Sequence, residues 1–385
     1  MKTNFVKLRW LFTMLLFVTT MIMPTMMLAK SIDLKIPEGD GAGTPYKIGT
    51  AEELYWFAGL VNGTLPGVKK DLSANAILTD DIIVNTGVLD PNKDLVSGND
   101  FIEWIPIGKS SSDDDAYTGT FDGNGHTISG LYFNKSNSWY VGLFGCIGAE
   151  GKISNVGVSD SYFQSSNCPY IGGVCGSNSG ELQNCSNSST VIGKENEYRI
   201  GGVCGYNYGG TIKSCYNTAS VSVTGKKVGG VCGDNYEGPI TNCYYLSGTV
   251  ADGKGGIGGK DDENGKAVEM SKDRFKSGEV AWLLNGSKSV STEESTLAWY
   301  QKLGENADAY PVLKSTDHNT VYKAPLFSCD GTTRIGEYAN KPEGDKLSHN
   351  YQMAEKADEG TSNLYSEECA ICHNVKDGTK YIKDF

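Results

Sequence analysis

Histidine is scarce in this chain of 385 residues: four occur, and none lies between Thr127 and Asp317. No Cys–His nucleophile pair can form locally along that stretch. The HExxH pattern of a zinc protease is absent. Past Leu28 no run is long and apolar enough to cross a bilayer, so no membrane span is expected once a leader is removed. Basic residues number 34 against 46 acidic ones, for a formal charge of −12. That balance argues against nucleic acid or an anionic lipid surface as a partner. Proline is sparse, at 11, whereas glycine reaches 49. Such a ratio suits tight turns at regular intervals more than a compact enzyme.

One apolar run exists, at the start. In "MKTNFVKLRWLFTMLLFVTTMIMPTMMLAKS", Lys2, Lys7 and Arg9 precede an apolar stretch from Trp10 to Leu28, and Ala29 closes it. This order predicts a signal peptide over 1–29, cleaved near Ala29, and a secreted or cell-surface protein. A retained anchor is the rival reading, but Thr13, Thr19, Thr20 and Pro24 interrupt the stretch. No cysteine follows the cleavage point to carry a lipid. Loss of the three leader cations would take the charge from −12 to −15.

The chain then repeats. "YVGLFGCIGAEGKISNVGVSDSYF", "YIGGVCGSNSGELQNCSNSSTVIG", "RIGGVCGYNYGGTIKSCYNTASVSV" and "KVGGVCGDNYEGPITNCYYLSGTV" align, with a shared glycine at Gly142, Gly173, Gly202 and Gly230. The steps are 31, 29 and 28 residues. Each unit holds three short strand-like runs separated by turns rich in Gly, Asn and Tyr. Three strands per coil describe a solenoid whose strands pair in parallel with their counterparts one coil away. A single coil cannot bury its inner face; stacking makes the core continuous. Asn178, Asn207 and Asn235 each fall three residues past a GGVC cysteine, which predicts an asparagine ladder along one corner.

Eleven cysteines in an exported chain ordinarily point to disulfides, but the number is odd. The positions of Cys175, Cys204 and Cys232 hold Phe144 in the first unit, and those of Cys185, Cys215 and Cys243 hold Val156. Phe, Val and Cys share comfort in a core. A metal or catalytic site would not accept Phe or Val at the same places. These six cysteines therefore read as two inward-facing core ladders, with disulfides between stacked coils as the rival.

Ahead of the repeats, "GTPYKIGTAEELYWFAGLVNG" starts as a strand. Thr50 and Glu53 then form a capping box, Leu54, Phe57, Ala58 and Val61 share one helical face, and Gly63 stops the helix. A helix here would cover the exposed end of the solenoid. "AILTDDIIV", "WIPIG" and "YTGTFDGNGHTISGLYF" continue in strand–turn rhythm. Within the last of these, Asp122 and His126 could form an acid–base pair, but a glycine-supported corner is the simpler reading. The acids Glu181, Asp234 and Glu237 are scattered. Asp113–Asp115 and Asp261–Asp262 read as solvated loops, with calcium the lesser alternative.

The words "PYKIGTAEELYWFAGLVNG", "WIPIG", "YTGTFDGNGHTISGLYF" and "YVGLFG…GKISNVGV", in this order over roughly 43–260, resemble the landmarks of bacterial surface proteins carrying the GLUG motif. The resemblance implies an all-β fold: a right-handed parallel β-helix on an exported protein, with a helical N-terminal cap. Some such proteins are long and adhesin-like, and some join the repeats to proteases. The motif itself brings no catalytic residue. After a charged linker, Ser271 and Arg274–Leu284 read as a short amphipathic helix, with Phe275, Val280, Leu283 and Leu284 on its apolar face. "LAWYQKLGENADAYPVLK" and "NTVYKA" read as strands. In GLUG relatives a similar segment closes the repeats, which implies a small α+β C-terminal cap. The expected organisation is a leader (1–29), an N-terminal cap with the first coils (30–139), repeat coils (140–260), the C-terminal cap (261–324) and a loosely ordered tail (325–385).

That tail holds Cys329, His349, Cys369, Cys372 and His373. "CAICH" has the form of a c-type haem attachment motif, yet only twelve residues follow His373. It is equally half of a zinc site, with the two-residue gap letting Cys369 and Cys372 reach one ion and His349, His373 or Cys329 supplying the rest. A Cys369–Cys372 disulfide or plain thiols are the other readings. The spacing also resembles small modules of gut-bacterial surface proteins, His-x-Tyr then Cys-x-x-Cys-Gly, with His373 in the place of the glycine. Zinc is thus the one cofactor with a candidate site, and no catalytic residue is assigned. Two function classes remain. One is a non-enzymatic, adhesin-like surface or scaffold protein whose partner is a host or microbial glycan or protein. The other is a carbohydrate-active β-helix lyase or hydrolase, which needs a groove holding two acids within reach of each other.

Overall fold

The computed structural model describes residues 32–385 apart from 99, 113, 168, 194–198, 223–226, 253, 259–265, 290–296, 315, 350, 357–363, 371–375, 377–380 and 383–385. The leader over 1–29 lies outside the described residues, as do Asp113, Asp261 and Asp262.

The chain winds into a parallel β-helix of about six turns. Three ladders of strands form its faces. The first stacks Tyr140–Val141, Tyr170–Gly172, Arg199–Gly201 and Lys227–Gly229. The second stacks Phe144–Ile147, Cys175–Asn178, Cys204–Tyr208 and Cys232–Tyr236. The third is longer. It begins at Tyr46–Ile48 and Ala76–Leu78, passes through Lys152–Ser166 and Glu181–Gly193, and ends at Ala267–Met270. Every pairing in these ladders is parallel, between neighbouring coils.

Strand alternation sends every second side chain inward, and stacking aligns these into rows. One row is Val141, Ile171, Ile200 and Val228; another is Ile153, Leu182, Ile212 and Ile240. All eight are at most 1% exposed. Phe144, Cys175, Cys204 and Cys232 form a third row in register. Val156 lies opposite Cys185, whose backbone N–H points at the Cys215 sulfur 3.4 Å away. Cys243 continues to Ala267. All six ladder cysteines are fully buried. The Cys175 and Cys204 sulfurs stand 3.5 Å apart, well beyond the ~2.05 Å of a disulfide bond. Each fully buried aliphatic side chain contributes about 1.5–3 kcal/mol, and in a solenoid that gain exists only between coils.

Two asparagine ladders run along the corners. Asn178 Nδ2 donates to Asn207 Oδ1, and Asn207 Nδ2 to Asn235 Oδ1, both at 2.8 Å. The same amides serve their own turns: Gly180 N–H donates to Asn178 Oδ1, and Asn207 Nδ2 donates to the Gly210 carbonyl. A second ladder, which the repeat alignment does not single out, joins Asn187 Nδ2 to Asn217 Oδ1 at 3.0 Å. It explains one glycine in two of the three GGVC words. A Cβ on Gly173 or Gly202 would lie 2.2 Å from the amide carbon of Asn187 or Asn217. A third corner recurs at Asn155, Asn184, Ser214 and Asn242, each left-handed with φ between 51° and 54°. Asn and Ser near this position tolerate that backbone better than bulky residues.

The N-terminal helix, α1 (Ala51–Asn62), begins at Thr50, whose hydroxyl accepts from Glu53 N–H, and ends at Gly63 with φ 64°. Glu53 reaches back to accept from Gly49 N–H at 2.9 Å. Residues Glu53 to Asn62 are all buried. Phe57 packs edge-on against Tyr117 and near Phe121, so the helix seals the first coils.

At the other end Ala267–Met270 adds the closing strand. The expected single helix is two, α2 (Lys272–Lys276) and α3 (Glu279–Leu284), because Gly278 between them adopts φ 88°. The following segment makes single bridges, Tyr300 with Val312 and Tyr322 with Ala339, in place of strands. It runs back along the flank of the solenoid. Trp299 Nε1 donates to the Ser214 carbonyl at 3.1 Å, Tyr216 hydroxyl to the Pro311 carbonyl at 2.7 Å, and Lys314 pairs with Asp81 at 2.7 Å. The reason is a second core: Tyr216, Tyr244 and Met270 point off the coil surface and are covered by Phe275, Val280, Leu284 and Trp299. Residues 338–340 belong to this cap as well. Tyr338 packs with Ala281 and Val321, and Asn340 Nδ2 donates to the carbonyls of Gln301 and Thr320. The expected boundary after 324 falls inside this packing.

The buried rows generate two expectations. Cys204→Val should cost less than about 1.5 kcal/mol, being nearly volume-conserving, whereas Cys204→Asp should unfold the central coils by burying an unpaired charge. Denaturant unfolding of the two variants checks this, and equal losses would place Cys204 outside the core. The second concerns pH. Burial holds the thiols of Cys204, Cys215, Cys232 and Cys243 well above their ordinary value of 9.0. These thiols stay protonated in the fold but ionise in the unfolded chain. Their contribution is therefore complete below about pH 9 and lost as pH rises above it, at about 1.4 kcal/mol per pH unit for each thiol. Unfolding curves from pH 8 to 10.5 should show this decline, and Cys204→Val should make it shallower.

Candidate functional site

The outer surface carries its own ladders. In-register pairing places Tyr140, Tyr170, Arg199 and Lys227 in one row. Cys146, Ser177, Tyr206 and Asp234 form the adjacent row, and Tyr208 stands beside Tyr236 in a third. Alternation explains the arrangement: Tyr206 and Tyr208 point out on either side of the inward Asn207. The rings stack. Tyr140 and Tyr170 lie 5.0 Å apart at 12°, Tyr170 and Tyr206 5.5 Å at 17°, and Tyr208 and Tyr236 5.3 Å at 14°.

Charge on this face is matched. The Arg199 guanidinium lies 4.6 Å from the Tyr206 ring centre and 5.3 Å from that of Tyr170, within cation–π range. Asp234 accepts from Arg199 Nε and Lys227 Nζ, each at 2.7 Å. Burial opposes ionisation of Asp234, but these two cations outweigh it and hold its carboxyl below the usual 3.8. Between the rows runs a groove of about 730 Å³, lined by Tyr140, Tyr170, Tyr206, Tyr208, Ser177 and Glu150. Glu150 is the one carboxylate among its described lining residues. Tyr140 also lines an adjoining hollow with Trp139, which is 66% exposed. Cys146 lines the groove at 1% exposure, and burial pushes its thiol up to about 12.

Asp122 and His126 do different things. Asp122 Oδ1 accepts from Asn124 N–H at 2.9 Å and from Asn155 Nδ2 at 3.0 Å, which makes it a corner residue. His126 Nδ1 lies 3.4 Å from Asp81, whose other oxygen takes Lys314. Asp115 is occupied by Lys70 at 2.6 Å.

The C-terminal candidates meet in part. One ligand atom each from Cys329, His349 and Cys369 lies within 4.8 Å of the other two. Cys372 and His373 lie outside the described residues. All three members of this cluster are among the five candidate ligands of the sequence analysis. The tyrosine face was missed, although its signal was there: a tyrosine stands two residues before a glycine at Tyr140 and Tyr170, "GYNY" places Tyr206 and Tyr208 two residues apart, and "GDNY" repeats the second of these at Tyr236.

The family description of the GLUG motif matches residues 196–224. These residues span the coil built on Arg199–Gly201 and Cys204–Tyr208, and the neighbouring coils stack on it in register. The chain thus carries a GLUG motif on a parallel β-helix. It is 38% identical over 84 residues to Halomucin of Haloquadratum walsbyi, covering 22% of this chain and 1% of that protein. It is 33% identical over 78 residues to a protein of Evansella cellulosilytica named as a Gly-rich membrane protein, covering 20% of this chain and 9% of the other. It thus spans less than a tenth of either relative. No solved structure matches this chain.

One expectation follows from the Asp234 triad. Its stabilisation is present above the ordinary carboxyl value and disappears as pH falls through the lowered one. Asp234→Asn should cost less than about 1 kcal/mol at pH 7, since ion pairs within solvent reach are weak, and should flatten the acid limb of stability below pH 4. A loss of several kcal/mol would mean that Asp234 supports the coil core.

Proposed function

We infer that this protein acts outside the cell, at or near a surface, as a non-enzymatic adhesin-like scaffold, and that its tyrosine face binds a neutral glycan. The observation that carries this reading is the exposed aromatic face from Trp139 to Tyr236. Among the described residues the exposed large rings are Trp139, Tyr208 and Tyr236, at 66%, 55% and 50%. An exposed aromatic band on a monomer usually marks a binding surface. Phenol rings pair an apolar body with a hydroxyl, the combination a polyhydroxylated, uncharged ligand needs. Near-neutrality of the face, where Asp234 and Glu150 stand against Arg199 and Lys227, favours such a ligand over a charged polymer. A single carboxylate in the groove argues against glycoside hydrolysis, which uses two. The names of the two relatives agree with a surface setting. Among the described residues no helix is long and apolar enough to cross a membrane.

The test is a glycan array with the chain lacking residues 1–29, followed by calorimetry on the strongest glycan. Tyr170→Ala and Tyr208→Ala should each weaken binding at least about tenfold, or ~1.4 kcal/mol, with unchanged melting. Binding that ignores both substitutions, or no glycan bound, contradicts the proposal. Release of sugar fragments from the bound glycan would establish the enzymatic alternative.

A further inference from the structure

The cluster of Cys329, His349 and Cys369 lies far in sequence from the tyrosine face and has no part in the glycan reading. Three separate elements deliver its donors. Cys329 sits in the turn between Leu326–Phe327 and Arg334–Gly336. That turn is pinned by Asp330, whose carboxylate accepts from Thr332 N–H, Thr333 N–H and the Thr333 hydroxyl at 2.7–2.9 Å. Cys369 ends the strand Leu364–Cys369. Antiparallel pairing sets Tyr351 opposite Cys369, which brings His349, two residues earlier, alongside the thiol. Cys329 is 2% exposed and Cys369 is fully buried.

The spacing fits a coordination sphere, and unlike the equally close Cys175–Cys204 pair of the core it includes an imidazole. Thiolate sulfurs about 2.3 Å from a tetrahedral zinc ion lie roughly 3.8 Å apart. The Cys329 and Cys369 sulfurs are 3.5 Å apart, closer to that edge than to the ~2.05 Å of a disulfide. The imidazole donor completes a triangle no more than 4.8 Å on a side. Two sulfurs and one imidazole form a donor set that favours Zn²⁺ over hard cations such as Mg²⁺ or Ca²⁺.

We propose that Cys329, His349 and Cys369 form a structural zinc site that staples the strands of 351–382 to the turn at 328–333. Binding forms two Zn–S bonds and one Zn–N bond, a water or a fourth donor takes the remaining tetrahedral position, and the two thiol protons leave to solvent. The ion's role is mechanical. Residues 330–363 are rich in charged and polar types, so this end of the chain has little apolar area with which to hold itself. Small modules of that kind depend on a metal or cross-link.

The test uses the chain from residue 30 onward, purified under reducing conditions at pH 7.5 and analysed for metal. About one zinc per chain is expected. It should be lost in Cys329→Ser and Cys369→Ser and kept in Cys204→Val. Cobalt substituted for zinc should show thiolate-to-metal charge transfer in the near ultraviolet. His349→Ala should weaken cobalt binding at least tenfold, and His349→Cys should restore it with stronger charge transfer. A chain without bound zinc, a site that survives both Cys329→Ser and His349→Ala, or a Cys329–Cys369 disulfide found by mass spectrometry in the protein as isolated would each overturn the proposal.

Discussion

No coil of this protein can bury its own inner face; each depends on the coil above and below. Ile212 is shielded because Leu182 and Ile240 sit on either side of it, in register. The backbone hydrogen bonds and the apolar gain therefore lie on the same coil-to-coil contacts. This explains the tight sequence period: a coil that slipped by one residue would turn its inward row to solvent.

The outer features are consequences of the same register. Stacking that aligns Val174 with Val203 inside also aligns Asn178 with Asn207 at the corner and Tyr140 with Tyr170 outside. Once the coils stack, any residue type repeated at one position becomes a row with the spacing of the strands, about 4.8 Å. Inside, such rows give a dry core of aliphatic groups and thiols. At the corners they give amide chains that also serve the turns. On the face they give a band of rings and matched charges, which is where a long ligand could run parallel to the axis.

Much of this was legible in the sequence, and what was not has a physical reason. The inward character of Cys175 and Cys185 followed from Phe144 and Val156 standing at the same positions in the first unit. The Asn178 ladder followed from its constant offset, and α1 from Thr50, Glu53 and Gly63. The Asn187–Asn217 ladder escaped because the next coil holds Tyr245 there, which breaks the row after two members. The return of the C-terminal segment along the flank was beyond local pattern: Lys314 meets Asp81 across 233 positions. The break between α2 and α3 was written in Gly278, yet the apolar pattern of Phe275, Val280 and Leu284 runs across it. At the tail, Cys369 pointed to its neighbour Cys372, while the partner found close in space, Cys329, stands 40 residues upstream.

The register of the coils is the claim on which the rest depends, and neighbouring thiols on the outer face test it most directly. Arg199 and Lys227 occupy the same position one coil apart, whereas Tyr170 and Lys227 are two coils apart. With cysteines introduced as Arg199→Cys and Lys227→Cys, a short bifunctional thiol reagent should bridge the pair across the ~4.8 Å rung. The pair Tyr170→Cys and Lys227→Cys, at about twice that spacing, should stay unbridged. Peptide mapping that finds the second pair linked and the first unlinked would contradict the stacking from which the core, the corners and the tyrosine face have been derived.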